Sequence, residues 1–484
     1  MTNSKWLRRA LLGGVAIGVM STGAQADDLD DLKAQIEALQ TRVNTLESTP
    51  STSALPEGAS LITFTRGQGS LADWNVDRAQ EGQMPSDRGF TIAVTPTADV
   101  PAPVTEVTVS GYVKADFIWD FNQDLGPTFL FNTIDEREQN DVNFTAHAMQ
   151  TRFRIRSRTD TAIGQIRTLI EGDFFGQPYG SYAGGLRLRH AWGEWDMTPN
   201  WTLGIGRFWR LGYNVFTGVT TVDFGGSIGV SGGSRNEQIR FTYSSGPLEV
   251  AFGIQRPNTG VSGNVAVYGS SRTLLGSTNI GWKNTPDLPG FGGHVLYDVP
   301  GGHQFFLGGA IQQNQLDRVS NFDLINKSKF GYSIGVGANA NLADIATLTG
   351  QFNYANGLTQ YIVGGGRGSY VVANGTNLSM HTNRAWGASA GISFDLTDTV
   401  TANAQWGFVN PQGRHSKDAG IAWTHAHTVH ANIIWQPVRQ MRLGWEVMWG
   451  RTTYGTRYLD QEAGTGVKKQ NTAIRGQFGA WFFF

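Results

Sequence analysis

The feature that most constrains this chain is a period-two alternation of apolar and polar residues that starts at Val107 and recurs to the last residue. Val107, Val109, Val113, Ala115, Phe117, Trp119 and Phe121 fall on one face, and Thr108, Ser110, Tyr112, Lys114, Asp116 and Asp120 on the other, because successive strand side chains leave opposite faces. The run covers about 15 residues, near 50 Å at strand rise. That exceeds the usual strand of a soluble domain and suffices to cross an outer membrane at a tilt. Leu248–Gln255, Lys329–Asn339, Val400–Phe408 and Arg442–Trp449 repeat the pattern. About 14 such segments are legible, and single-chain bacterial barrels have even strand numbers, which puts the expected total near 16. The chain ends on Trp481, Phe482, Phe483 and Phe484. Such an end is an aggregation hazard in water, whereas on a barrel Phe478, Phe482 and Phe484 face lipid. The expected fold class is therefore an all-β transmembrane barrel of about 16 antiparallel strands, preceded by an N-terminal α-helical coiled-coil segment.

That segment follows a processing signal. Lys5, Arg8 and Arg9 precede a short apolar run, Ala10 to Met20, and Ala24-Gln25-Ala26 is a small-residue cleavage site. Residues 1–26 thus read as a signal peptide, with Asp27 as the mature start. No later stretch offers about 18 continuous apolar residues, so any membrane crossing must use strands. In residues 27–47, Leu29, Leu32, Ile36, Leu39, Val43 and Leu46 follow the three-four spacing of a coiled-coil seam. Asp28 then faces Lys33 of a neighbouring chain and Arg42 faces Glu47, which suits parallel helices in the periplasm; one amphipathic helix packed on its own protein is the alternative. Residues 48–106 read as a linker or periplasmic segment, with possible strands at Leu61–Thr65 and Phe90–Thr95 before Pro96, Pro101 and Pro103. The barrel is expected over 107–484.

The chain has no Cys and a net charge of −1, which removes thiol chemistry and gives no reason to invoke nucleic acid. G-x-S-x-G occurs around Ser231, Ser333 and Ser389, but a hydrolase needs it at a strand-to-helix elbow, and Ser333 and Ser389 lie inside alternating strands. Of His425, His427 and His430, the last falls on the opposite face from the others. No catalytic residue, metal ligand or cofactor follows. The chemistry lies in Arg152, Arg154, Arg156 and Arg158, at every second position of one strand. Facing lipid would cost roughly 2–4 kcal/mol per arginine near the midplane, so the row lines the lumen or sits outside the hydrocarbon. Arg167, Arg187, Arg189, Arg240 and Lys114 are expected to join it. Such a lining attracts small anions, and guanidinium pairs with carboxylate or phosphate in bidentate geometry. Ordinary solvated charge, partly balanced by Asp116, Glu171 and Asp173, is the competing account. Leu211 to Asn236 is Gly-rich, carries Asp223 and is too long for a turn. It either folds inward to narrow a pore or stays on the surface.

Several stretches resemble the DcaP-like trimeric outer-membrane porins: Ser110-Gly111-Tyr112-Val113-Lys114-Ala115-Asp116, Leu186 to Trp195, Asp223-Phe224-Gly225-Gly226 with Gln238-Ile239-Arg240, Pro286-Asp287-Leu288, Asn353-Tyr354-Ala355-Asn356-Gly357 before Tyr361, and Val429-His430-Ala431-Asn432 running to Trp435-Gln436-Pro437-Val438. The coiled coil is also a feature of that family. The resemblance implies a 16-stranded barrel, a homotrimer, outer-membrane lipid as surroundings and small anionic solutes such as dicarboxylates. The terminal Phe484 is similar to the signal read by the bacterial barrel-assembly machinery. The stretch from Leu61 to Pro103 is longer than the family's linker, and Gln360 stands where the family carries a basic residue. A phosphate-selective porin shares the arginine row and coiled coil; an outer-membrane tether and a barrel hydrolase are the remaining alternatives.

Overall fold

The structure is a computed structural model that describes residues 61–66, 89–95, 105–129, 134, 141–176, 184–233, 235–257, 264–268, 274–279, 286–316, 327–343, 345–366, 368–374, 377–412, 423–455 and 469–484. The expected signal peptide and coiled coil lie outside these residues. The strands, in chain order, are β1 (Leu61–Arg66), β2 (Phe90–Thr95), β3 (Thr105–Asp120), β4 (Asn143–His147), β5 (Arg152–Thr161), β6 (Gly164–Asp173), β7 (Arg187–Asp196), β8 (Trp201–Trp209), β9 (Arg235–Ser245), β10 (Leu248–Gln255), β11 (Asn264–Tyr268) and β12 (Leu274–Asn279). They continue as β13 (Gly290–Val299), β14 (His303–Leu316), β15 (Lys327–Leu342), β16 (Ala346–Asn356), β17 (Ser369–Asn374), β18 (Asn377–Thr382), β19 (Arg384–Thr397), β20 (Val400–Pro411), β21 (Trp423–Val438), β22 (Met441–Tyr454) and β23 (Gln470–Phe483).

Each barrel strand pairs antiparallel with the next, and β23 pairs with β3 to close the ring. β4 and β5 share one place, since β4 pairs with Asp116–Asp120 of β3 and β5 with Thr105–Tyr112. Counted so, sixteen strands close the barrel. Full closure leaves no strand edge open in lipid, where an unpaired backbone group has no water to turn to. Two additions lie outside the ring: β1 and β2 pair with each other and extend the lower edge of β3, and β11, β12, β17 and β18 form a separate four-stranded sheet.

Strand connections differ sharply at the two ends. At the end holding the start of β3 and the end of β23, links are as short as Gly246-Pro247 and Arg439-Gln440; the opposite end carries spans such as 210–234, 256–289 and 357–383. Short turns mark the periplasmic side of a bacterial barrel and long loops the outer side.

The alternation in the sequence is the alternation of the wall. On β3, Val113, Phe117 and Trp119 are 49%, 38% and 41% exposed, while Lys114, Asp116 and Asp120 are buried. Ile155, Ile170, Phe252, Ile334, Phe352, Trp406, Ile433 and Trp445 continue the outward apolar band. In lipid this surface is solvated by its own kind, so the stability of the wall comes from strand pairing and from what fills the interior. The C-terminus seals the seam: Phe484 N–H donates to Gly111 O (3.0 Å) and Gly111 N–H to Phe484 O (2.9 Å). A Cβ at Gly111 would stand 2.4 Å from Arg152 O and 2.8 Å from the Phe484 ring, so only glycine admits this closure.

Candidate functional site

The span between β8 and β9, residues 210–234, runs across the inside of the barrel. Its carbonyls and amides are held by side chains from strands all round the wall. Asn339 on β15 donates to Phe216 O (2.8 Å), Asn353 on β16 to Gly229 O (3.1 Å), Asn432 on β21 to Thr220 O (2.9 Å) and Lys114 on β3 to Val222 O (2.6 Å). Ser231 N–H donates to Gln351 Oε1 at 3.0 Å. A second inward segment, Thr359–Gly366, pairs with this loop: Gly229 N–H donates to Val363 O (3.0 Å) and Val363 N–H to Val230 O (2.9 Å). Gly229 has φ near 75°, and a Cβ there would stand 2.0 Å from Phe408 O on β20; glycine lets the loop press against the wall.

The loop is also pinned by charge. Glu446 on β22, fully buried, accepts from Val222 N–H and Asp223 N–H, and its other oxygen contacts His430 Nδ1 at 2.7 Å. Asp223 accepts from Phe129 N–H (2.9 Å), Gly225 N–H (2.7 Å) and Gly226 N–H (3.2 Å), with Arg475 Nη1 at 3.9 Å. Asp223 therefore shapes the loop and ties it to the segment carrying Phe129. Replacing Glu446 by Ala strips the acceptor from two loop amides, leaving them to find water. The expected result is a noisier open channel in single-channel recordings, with flicker between conductance levels; a trace as quiet as the parent's would show that Glu446 does not hold the loop.

The arginine row faces inward, as its spacing requires: Arg152, Arg154, Arg156 and Arg158 are all at least 95% buried. Carboxylates on the next two strands meet much of the arginine wall. Glu171 on β6 lies 3.7 Å from Arg152 Nε, 3.1 Å from Arg154 Nη2 and 2.5 Å from Arg189 Nε. Asp173 pairs with Arg187 and Arg189, each at 2.7 Å, and Arg167 pairs with Glu194 (3.1 Å) and Asp196 (2.6 Å). Lys114 pairs with Asp116 at 2.8 Å and lies 4.3 Å from the Trp481 ring centroid, so its ammonium serves the loop and its neighbours. The register shifts at Glu171/Gly172, which makes consecutive Arg189 and His190 both point inward and reverses the parity of β7. Glu194 is thereby brought inside, a bulge effect that periodicity alone does not reveal.

Arg240 on β9 is buried and donates to Gln238 Oε1 (3.1 Å) and Trp209 O (2.6 Å). Two arginines that the alternation did not single out lie beside it. Arg210, first residue of the inward loop, donates to Gly232 O and Gln360 O, so the position where the family resemblance suggests a basic side chain receives one from elsewhere in the chain. Burial pushes the Arg210 guanidinium below its ordinary pKa and raises that of the Tyr361 hydroxyl. Arg235 stacks over Trp209, its Cζ 3.8 Å from the ring centroid. Two cavities adjoin this group, of about 620 and 450 Å³, and share Trp209, Tyr213, Val215 and Phe216 as lining.

The serines of the G-x-S-x-G matches sit in the loop (Ser231) and inside β15 and β19 (Ser333, Ser389), none at a strand-to-helix elbow. His430 faces inward while His425 and His427 share the other face of β21. Among the described residues no three His, Cys, Asp or Glu side chains gather as a metal would need.

Comparison with known proteins agrees with this architecture. The structure is similar to the outer membrane channel DcaP of Acinetobacter baumannii, with a TM-score of 0.62 at 18% identity over 78% of this chain and 97% of that one. Weaker likenesses are the anion-selective porin from Comamonas acidovorans (TM-score 0.49, 15% identity, 78% and 100% covered) and the trimer form of OmpT from Vibrio cholerae (0.49, 12%, 78% and 99%). No curated protein matches the sequence. The model of the porin subfamily matches residues 103–476, most of the chain and all of its barrel except the end of β23, and the protein belongs to that subfamily of outer-membrane channels.

Proposed function

We propose that this channel is a diffusion porin for small hydrophilic solutes that favours anions of the dicarboxylate type, working as a homotrimer held in part by the periplasmic coiled coil. One observation carries the preference for anions. On strands β5 to β9 themselves the buried inward arginines are Arg152, Arg154, Arg156, Arg158, Arg167, Arg189 and Arg240; the buried carboxylates are Glu171, Asp173 and Glu194, with Asp196 half-buried beside them. This arc of the wall carries an excess of positive charge in a space where a loop already crosses the lumen. Screening is incomplete at such range, so the excess raises local anion concentration and repels cations.

Neutralising Arg154 and Arg156 together, each to Gln, tests the reading. The barrel survives, because Glu171 keeps Arg152 and Arg189 as partners. Anion-over-cation selectivity, read as a reversal potential across a salt gradient, is expected to fall markedly. The difference from the parent shrinks as salt rises and shortens the Debye length. An unchanged reversal potential, with normal trimer yield, would reduce the row to a solvated or structural wall.

A further inference from the structure

We infer that Trp209, with Arg210, Arg235 and Arg240 around it, forms a carboxylate-binding station inside the lumen. The inference deepens the anion-preferring reading and rests on it.

Much of the arginine wall is compensated by Glu171, Asp173, Glu194 and Asp196. Arg210, Arg235 and Arg240 differ: among the described residues no carboxylate oxygen stands within 4.0 Å of any of them. Their polar contacts are neutral. Arg210 Nη2 donates to Gly232 O and Gln360 O, Arg240 to Gln238 Oε1 and Trp209 O, and Arg235 Nε lies 3.4 Å from His190 Nε2. Glu249, an acid lining the same cavity as Arg210 and Arg240, is engaged by His294 Nε2 at 3.2 Å.

Hydrogen bonding points the same way. Arg210 Nε and Nη1 and Trp209 Nε1 are buried donors without an acceptor. Leaving such groups unpaired is costly, and native structures rarely do so without a ligand, ion or water to receive them. Every one of these atoms is a donor, so the missing group is an acceptor; next to three guanidiniums without a carboxylate in ion-pair contact it is an anionic one. A carboxylate offers two oxygens in the plane that a guanidinium fork matches.

Geometry gives the station its place on the path. Arg210 and Arg240 line the cavity of about 620 Å³ and Arg235 the cavity of about 450 Å³, while Trp209 and Tyr213, 5.0 Å apart by ring centroid, line both. The aromatic pair stands between two basic compartments. A solute leaving one guanidinium meets the next on the far side of Trp209, which permits binding without trapping.

The experiment uses the full-length protein in planar bilayers, with succinate as the probe. Succinate-induced current fluctuations give its affinity, and reversal potentials in potassium chloride give selectivity. Arg240→Gln and Arg210→Gln are each expected to weaken succinate binding about tenfold, the typical effect of losing a charged hydrogen bond. Trp209→Phe keeps a ring beneath Arg235 and removes one neutral donor, so it should weaken binding a few-fold with the reversal potential unmoved. Arg256→Gln, at an exposed arginine paired with Glu237, should change neither. Because Arg210 also holds the loop, Arg240→Gln and Trp209→Phe carry the test if Arg210→Gln does not assemble. Parental succinate affinity in both would overturn the station while leaving the anion preference standing. A parent channel without anion preference would bring down the reading beneath it. Inorganic phosphate blocking more strongly than succinate would overturn the assignment to carboxylates.

Discussion

Replacing residues 214–231 by a short glycine–serine link is expected to raise single-channel conductance several-fold while leaving a closed barrel. None of the registers that join the sixteen wall strands involves those residues, so the ring is not cut. What is lost is the filling. Val222 packs with Tyr112, Trp481 and Phe483, and Ile228 with a cluster that includes Val409, Ala426 and Met448. Burying such side chains is worth roughly 1.5–3 kcal/mol each, so the shortened protein should unfold at lower denaturant. The wall amides that now hold loop carbonyls, on Asn339, Asn353 and Asn432, would be rehydrated, which costs little when water can reach them. Conductance in planar bilayers, with heat-dependent gel mobility as the folding control, reads both effects. Parental conductance in a folded barrel would place the constriction away from this loop.

Glu171→Gln should act in the opposite sense to the loss of Arg154 and Arg156. Glu171 is completely buried and meets three guanidiniums, those of Arg152, Arg154 and Arg189. Its charge offsets a desolvation penalty that each arginine has already incurred. Removing one partner of a buried ion cluster typically costs about 3–5 kcal/mol, because the remaining charges stay where they are without compensation. The expected outcome is a clear loss of resistance to denaturant, together with a reversal potential shifted toward stronger anion selectivity. Stability equal to the parent's would mean that water already reaches this cluster and screens it. Selectivity equal to the parent's would mean that permeating ions do not sense it.

The barrel was legible in the sequence because lipid imposes one rule on every strand: apolar outward, with period two. The rule located the arginine row and put Glu171 and Asp173 on the same inner face; Asp116, expected to help balance the row, pairs with Lys114 instead. It could not place Glu194, since the bulge opposite Glu171 reverses the parity of β7. It said nothing of Arg210, which lies in a loop without periodicity and is defined by contacts to Gly232 and Gln360. The composition and length of 211–236 marked an unusual loop but left its direction open. That direction is set by pairings such as Lys114 with Val222 and Asn432 with Thr220, which join residues more than a hundred positions apart and leave no local trace. The same holds for β1 and β2, readable as short strands but not as an extension of β3.

The seam between β3 and β23 also has a consequence for time. Arg475 is bound through both carboxylate oxygens of Asp120, and Phe484 meets Gly111, so the first strand of the ring has no partner on this side until β23 has been made. Contacts so distant in sequence form slowly, and until they form the growing sheet has two unsatisfied margins. An open partial ring of this chain would leave those margins without hydrogen-bond partners in lipid. The strand that completes the circle is therefore also the one that makes the wall compatible with the membrane.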